Sequence, residues 1–183
     1  MDKINILLVG ATGSGKSSTI NALLGSEEAK VGYGVDPETM TISRYEYGNK
    51  VLWDSPGLGD GKEADKLHSQ NIIKKLLELD SRGCYLIDQV IVVVDGSSRD
   101  LGTTYKLLES VIMPNLENGK ERLLVAINQA DRAMKGRHWN YQENKPEPVL
   151  KEFLEKKVVS VKRRIKESTG IDVKVVYYSS TSY

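Results

Sequence analysis

A single cysteine, Cys84, stands in the 183 residues. One thiol cannot close an internal disulfide or build a cysteine metal cluster, so a disulfide-stapled scaffold is excluded and a reducing, cytoplasmic setting is expected. An excess of charge of either sign is missing too. Lys+Arg total 26 against 25 for Asp+Glu, a net charge of +1. That balance argues against an overall surface built for nucleic acid or membrane, although a local patch can hide within it. No apolar run approaches the roughly 18 residues a membrane-spanning helix needs. Met1-Asp2-Lys3-Ile4 leads straight into an apolar run without the pattern of a secretory signal. There is no internal repeat and no low-complexity tract. His68 and His138 have no metal or catalytic partner that the sequence can name. The length is that of one domain, sufficient for a substantial core.

What is present is an alternation of β-branched apolar runs with amphipathic stretches. Strands are predicted at 3–9, 40–47, 50–54, 87–95, 122–127 and 173–178, and helices at 16–24, 63–79, 101–113 and 147–168. Gln89-Val90-Ile91-Val92-Val93-Val94-Asp95 has no polar alternation, as expected for a strand covered on both faces. The turn Gly48-Asn49 joins 40–47 to 50–54 as a hairpin. The remaining connections are strand–helix–strand, which predicts a three-layer α/β fold whose six-stranded sheet is mostly parallel with one antiparallel strand. The helix 147–168 sets Val149, Leu150, Phe153, Leu154, Val158, Val161 and Ile165 at helical spacing. Lys156, Lys157, Lys162, Arg163 and Lys166 lie on its other face. Interleaved with Glu155 and Glu167, these cations read as a solvated face, with an RNA or ribosome patch as the functional alternative. Trp139 is expected to fold back over a local apolar patch, a partner-binding loop being the alternative.

Gly10-Ala11-Thr12-Gly13-Ser14-Gly15-Lys16-Ser17 is a complete G-x-x-x-x-G-K-[ST] phosphate-binding loop. An apolar strand precedes it and a helix, beginning with Lys16, Ser17 and Ser18, follows. Backbone amides converge in such a turn, and the helix N-terminus adds partial positive charge. Lys16 can reach the β- and γ-phosphates and Ser17 can offer its hydroxyl to Mg²⁺. Asp54-Ser55-Pro56-Gly57 follows the strand 50–54. There Asp54 can hold Mg²⁺, usually through a water, and Gly57 lets its N–H approach a γ-phosphate. Asn128-Gln129-Ala130-Asp131 follows the strand 122–127. The two oxygens of Asp131 can accept N1–H and N2–H₂ of guanine, a donor pair adenine lacks. Asn128 can tie this loop to the phosphate loop.

Together, these three motifs in this order resemble the translation-factor-like branch of P-loop GTPases, most of all its Era/TrmE-like and immunity-related or septin-like members. Ile20-Asn21-Ala22-Leu23-Leu24-Gly25 extends the likeness beyond the loop, and it covers residues 3 to about 181. The resemblance implies a P-loop NTPase fold, a GTP/GDP ligand and Mg²⁺. It makes Lys16, Thr39 and Gly57 the catalytic group and Ser17, Thr39 and Asp54 the metal group. Gly10, Thr12, Gly13, Ser14, Gly15, Ser18, Asn128, Gln129, Asp131, Ser179 and Ser180 complete the nucleotide contacts. Thr39 is favoured as the first-switch threonine over its rival Thr41, which already begins the strand alternation. The switches are expected at 32–41 and 57–70.

Three positions depart from the pattern. Gln129 replaces a lysine, Leu58 replaces a water-orienting glutamine, and Gly13 replaces the asparagine of K⁺-using members. Leucine cannot polarise water, so slow or assisted hydrolysis is expected. A nucleotide-dependent dimer or assembly module is the alternative. A fold of this kind places one more helix after the last motif, so a single GTPase domain from a longer protein is expected. An RNA or ribosome contact would then lie downstream of Tyr183.

Overall fold

A computed structural model describes residues 3–29 and 41–180. Strand β1 (Ile4–Gly10) leads through the glycine-rich loop into helix α1 (Lys16–Leu24). Strands β2 (Ser43–Tyr47) and β3 (Lys50–Asp54) form the expected antiparallel hairpin, with Ser43 opposite Asp54. Then come α2 (Lys62–Leu76), β4 (Gln89–Asp95), α3 (Gly102–Leu107), the short turn α4 (Gly119–Arg122) and β5 (Leu123–Asn128). A short turn α5 (Ala133–Gly136) and a small hairpin, β6 (Trp139–Asn140) with β7 (Lys145–Pro146), precede α6 (Pro148–Thr169) and β8 (Lys174–Tyr177).

The six-stranded sheet runs β2-β3-β1-β4-β5-β8, parallel except for β2. Alternate residues of β1 point to opposite faces, as strand geometry requires. Leu7 and Val9 join Ile72 and Leu76 of α2, Leu107 of α3, and Val161 and Ile165 of α6. Ile6 and Leu8 join Ile20 of α1 and Leu52. Helices therefore cover both faces of the sheet, giving three layers. The register sets Leu8 beside Asp54, Gly10 beside Val93 and Asp95 beside Asn128, so the motif-bearing strand ends finish along one edge.

Several elements differ from the sequence expectation, among them the unforeseen hairpin β6–β7 and a helix α2 that ends at Leu76. The helix foreseen over 101–113 is regular only to Leu107. It widens over Leu108–Ile112 and tightens over Met113–Asn115. Pro114 has no N–H to continue the ladder, and the Asn115 side chain donates to the Val111 carbonyl instead, at 2.8 Å. On α6, Val149 and Phe153 fit the helical period of the apolar face but are exposed, while Leu150, Leu154, Val161 and Ile165 carry the packing. Trp139 does fold back, into a patch with Ala130, Ala133, Leu150 and Leu154.

Candidate nucleotide-binding site

The phosphate loop is shaped by its glycines and closed by its neighbours. Gly15 takes φ +90°, and a Cβ there would collide with the Asn128 amide nitrogen. No side chain caps the start of α1, so its first-turn amides are left to an anion rather than to the protein. The Lys16 ammonium donates to the Ala11 carbonyl at 3.1 Å and to that of Gly10 at 3.4 Å. Burial pushes its pKa down to about 8, against the opposing pull of the Asp54 and Asp60 carboxylates. Ser18 is half-buried in the first turn of α1.

Asp54 ends β3 beside this loop and is buried. Its Oδ2 accepts the Ser17 hydroxyl at 2.6 Å, while Oδ1 is buried with no hydrogen-bond partner among the described residues. Burial raises its carboxyl above the usual range, offset by the Ser17 hydrogen bond and by Lys16. A hydroxyl and a spare carboxylate oxygen side by side are hard oxygen donors of the kind Mg²⁺ takes, so the residues present fit that ion. Thr39 lies outside the described residues, as does most of the first switch. Thr41 is an exposed residue ahead of β2.

Asn128, fully buried at the end of β5, is a staple. Its amide nitrogen donates to the Ser14 carbonyl at 3.2 Å and to that of Gly15 at 3.4 Å, and its Oδ1 accepts the Ser180 N–H at 3.0 Å. One side chain thus joins the phosphate loop to the segment after β8. Asp131 is buried and accepts the Ser179 hydroxyl at 2.6 Å. Gln129 sits in the left-handed region at φ +57°, and its amide donates to the Gly13 carbonyl at 2.9 Å. The hydroxyls of Ser14 and Ser180 are buried without a hydrogen-bond partner among the described residues. The structure therefore gathers Gly10, Thr12, Gly13, Ser14, Gly15, Lys16, Ser17, Asp54, Gly57, Asn128, Gln129, Asp131, Ser179 and Ser180 along one edge of the sheet.

Gly57 follows β3 and passes so close to the phosphate loop that a Cβ would sit 2.6 Å from the Thr12 Cα. Leu58 bonds to the loop at both backbone atoms, its N–H to the Gly10 carbonyl at 3.3 Å and its carbonyl to the Thr12 N–H at 2.8 Å. Its side chain is buried in the main core cluster.

Sequence reasoning missed three partners here. His68, buried on α2, donates from Nδ1 to the Gly57 carbonyl at 2.8 Å. Asp60 accepts the Thr12 hydroxyl at 2.6 Å. Tyr178 shares a 2.6 Å hydrogen bond with Thr19 on α1, and burial pushes its phenol up to about 12. No spacing rule links these pairs; only the fold does. His138 pairs with Glu147 at 3.1 Å on the surface. The basic face of α6 is laced with acids, Lys156 to Glu152 at 2.6 Å and Arg163 to Glu167 at 3.8 Å, in the manner of a solvated helix.

Comparison with known proteins decides the lineage. The profile of the AIG1 family matches residues 4–158. The chain belongs to the AIG1 family. This AIG1 chain is 44% identical over 62 residues to interferon-inducible GTPase 1 of Mus musculus, a match spanning 31% of this chain and only 15% of the mouse protein. Its fold is that of the P-loop GTPases. Toc33 from Arabidopsis thaliana, solved with GDP and Mg²⁺, superposes with a TM-score of 0.67 at 21% identity, over 99% of this chain and 72% of that one. Era, solved with MgGDPNP and nucleotides of 16S ribosomal RNA, superposes with a TM-score of 0.61 at 14% identity, over 98% of this chain and 52% of that one. The P-loop GTPase fold read from the motifs thus holds for this AIG1 chain.

Proposed function

We propose that this chain is a GTP-binding molecular switch with slow or assisted GTP hydrolysis. One observation carries the reading. A phosphate loop, an aspartate with a spare buried oxygen and a buried Asp131 beside Ser179 lie along one strand edge, stapled by Asn128. The loop amides and Lys16 match a polyphosphate. The carboxylate of Asp131 matches the donor edge of guanine. Ser17 and Asp54 would hold Mg²⁺, which neutralises phosphate charge when bound.

Hydrolysis forms a bond between a water oxygen and the γ-phosphorus and breaks the bond to the β–γ bridging oxygen. GDP leaves, one water proton stays on the new oxygen of the released phosphate, and the other passes to solvent. Lys16 and the loop amides neutralise and position the transferring group. Leu58 is turned into the core, so position 58 offers no group to orient the water. Unassisted turnover is therefore expected at or below about 10⁻³–10⁻² s⁻¹.

Assistance by self-association is the supported route. Dimerisation is important for the GTPase activity of the chloroplast translocon components Toc33 and Toc159, whose structure shares this fold. Competition of GDP and ADP for the site, followed by phosphate release measured across a range of protein concentrations, tests the reading. GDP should win, and turnover per molecule should climb with concentration. Stronger ADP binding would refute the role given to Asp131. Nucleotide-dependent dimerisation with no phosphate release would turn the reading into that of an assembly module.

A further inference from the structure

The segment 57–60 lies across the first half of the phosphate loop and is held from both sides. From the loop side, Thr12 donates its N–H to the Leu58 carbonyl at 2.8 Å and its hydroxyl to Asp60 Oδ2 at 2.6 Å. From the helix side, His68 Nδ1 donates to the Gly57 carbonyl at 2.8 Å, and Asp65 Oδ1 accepts the Gly59 N–H at 2.7 Å and the Asp60 N–H at 3.3 Å. The strap thus sets a second carboxylate, after Asp54, near enough to Lys16 to act on its ammonium. Unlike Asp54, Asp60 is exposed, and the hydroxyl it accepts is that of Thr12, at the start of the loop, where Asp54 accepts that of Ser17.

We propose that Asp60 is a specificity-determining residue, which through its hydrogen bond to Thr12 biases the site toward the diphosphate over the triphosphate. This rests on the nucleotide reading given above. A phosphate chain lying on the loop amides reaches Lys16 with its β- and γ-groups. The γ-phosphate therefore arrives beside Gly57 and Lys16, on the side where the strap carries Asp60. Two anions competing for one ammonium repel each other, so the triphosphate requires the Thr12–Asp60 bond to open and the carboxylate to swing away. A diphosphate stops one group short and leaves the bond in place. The bond is solvent-exposed, where water competes for both partners, so it can yield to a ligand. Because the same strap is held by Asp65 and His68, its release is transmitted to the first turns of α2, which gives the γ-phosphate a path to the helix that follows it.

The test is titration calorimetry of GDP and of the non-hydrolysable triphosphate GMPPNP, both with Mg²⁺, on wild type, Asp60→Asn and Asp60→Ala. Asn keeps an acceptor for the Thr12 hydroxyl but loses the charge, and Ala loses both. In each variant the ratio of GMPPNP to GDP dissociation constants should fall about 5- to 10-fold, the scale of one like charge several ångströms away at partial screening. The GDP constant should stay within about twofold, and the ratio change should shrink in high salt. An unchanged ratio, or weaker GMPPNP binding in the variants, overturns the role of Asp60 while GDP binding keeps the nucleotide reading intact. A wild-type protein that binds neither ligand sinks the nucleotide reading itself.

Discussion

Lys16 should be a liability to the nucleotide-free fold. Its ammonium is buried at 7% exposure, with backbone carbonyls of Gly10 and Ala11 as its hydrogen-bond partners. Its pKa is lowered from 10.5 to about 8, chiefly by burial. A lowered lysine pKa means the unfolded chain binds the proton more tightly than the fold does. The penalty is fully present below pH 8 and is relieved as pH rises from about 8 to 10.5, because the folded lysine loses its charge first. At about 1.4 kcal/mol per pKa unit, the shift corresponds to a penalty of up to about 3 kcal/mol at pH 7. Lys16→Met keeps the bulk and removes the charge. In urea denaturation without nucleotide at pH 7, the variant should be more stable than wild type by up to that amount. The gap should narrow at pH 9.5. The same variant should gain nothing from added GDP, whereas wild type should be stabilised by it. A Lys16→Met protein that is less stable than wild type at pH 7, or a gap that does not change with pH, would refute the reasoning.

Further expectations concern the other parts of the site. Asp131→Asn exchanges an acceptor for a donor and should shift preference from guanine toward xanthine nucleotides, measured by competition binding. Asn128→Ala strands the Ser180 amide, whose acceptor among the described residues is the Asn128 side chain, and should cost about 1–3 kcal/mol of stability while speeding GDP dissociation in a stopped-flow chase. Leu58→Gln buries an amide in the core and should destabilise the fold by about 2 kcal/mol or more without raising single-turnover hydrolysis. A faster variant would show that the side chain can leave the core. GDP affinity should weaken as pH climbs past about 8, because binding must then return the proton to Lys16.

The sheet and the site's main residues were legible because their signals are local. The β-branched run 90–94 reads as a strand covered on both faces, and the glycine-rich loop, Asp54 and Asn128–Asp131 each sit directly at a strand end. What was not legible depends on approach through space. Asp60 meets Thr12 across 48 positions of sequence, and His68 reaches the Gly57 carbonyl only because α2 turns back over the strap. Helical spacing also overstated the apolar face of α6. Val149 and Phe153 satisfy the period, but the packed partners of α6 cover Leu150 and Leu154 instead. The widened turn at 108–112 follows from Pro114, whose effect on the preceding residues the period alone does not register.

The Asn128 staple has a consequence for synthesis. It joins Ser14 and Gly15, which follow β1, to Ser180, which follows β8, more than 160 positions later in the chain. Among the described residues, the strand that delivers Ser180 pairs only with β5, at the far side of the sheet from β2. A nascent chain that has emerged as far as β5 therefore already owns its phosphate loop, yet lacks the amide that closes the staple and the serine that meets Asp131. On the reading proposed above, its grip on the base is completed only when β8 docks. Growing chains on the ribosome should thus stay blind to the identity of the base until that strand is released, and become competent in a single late step.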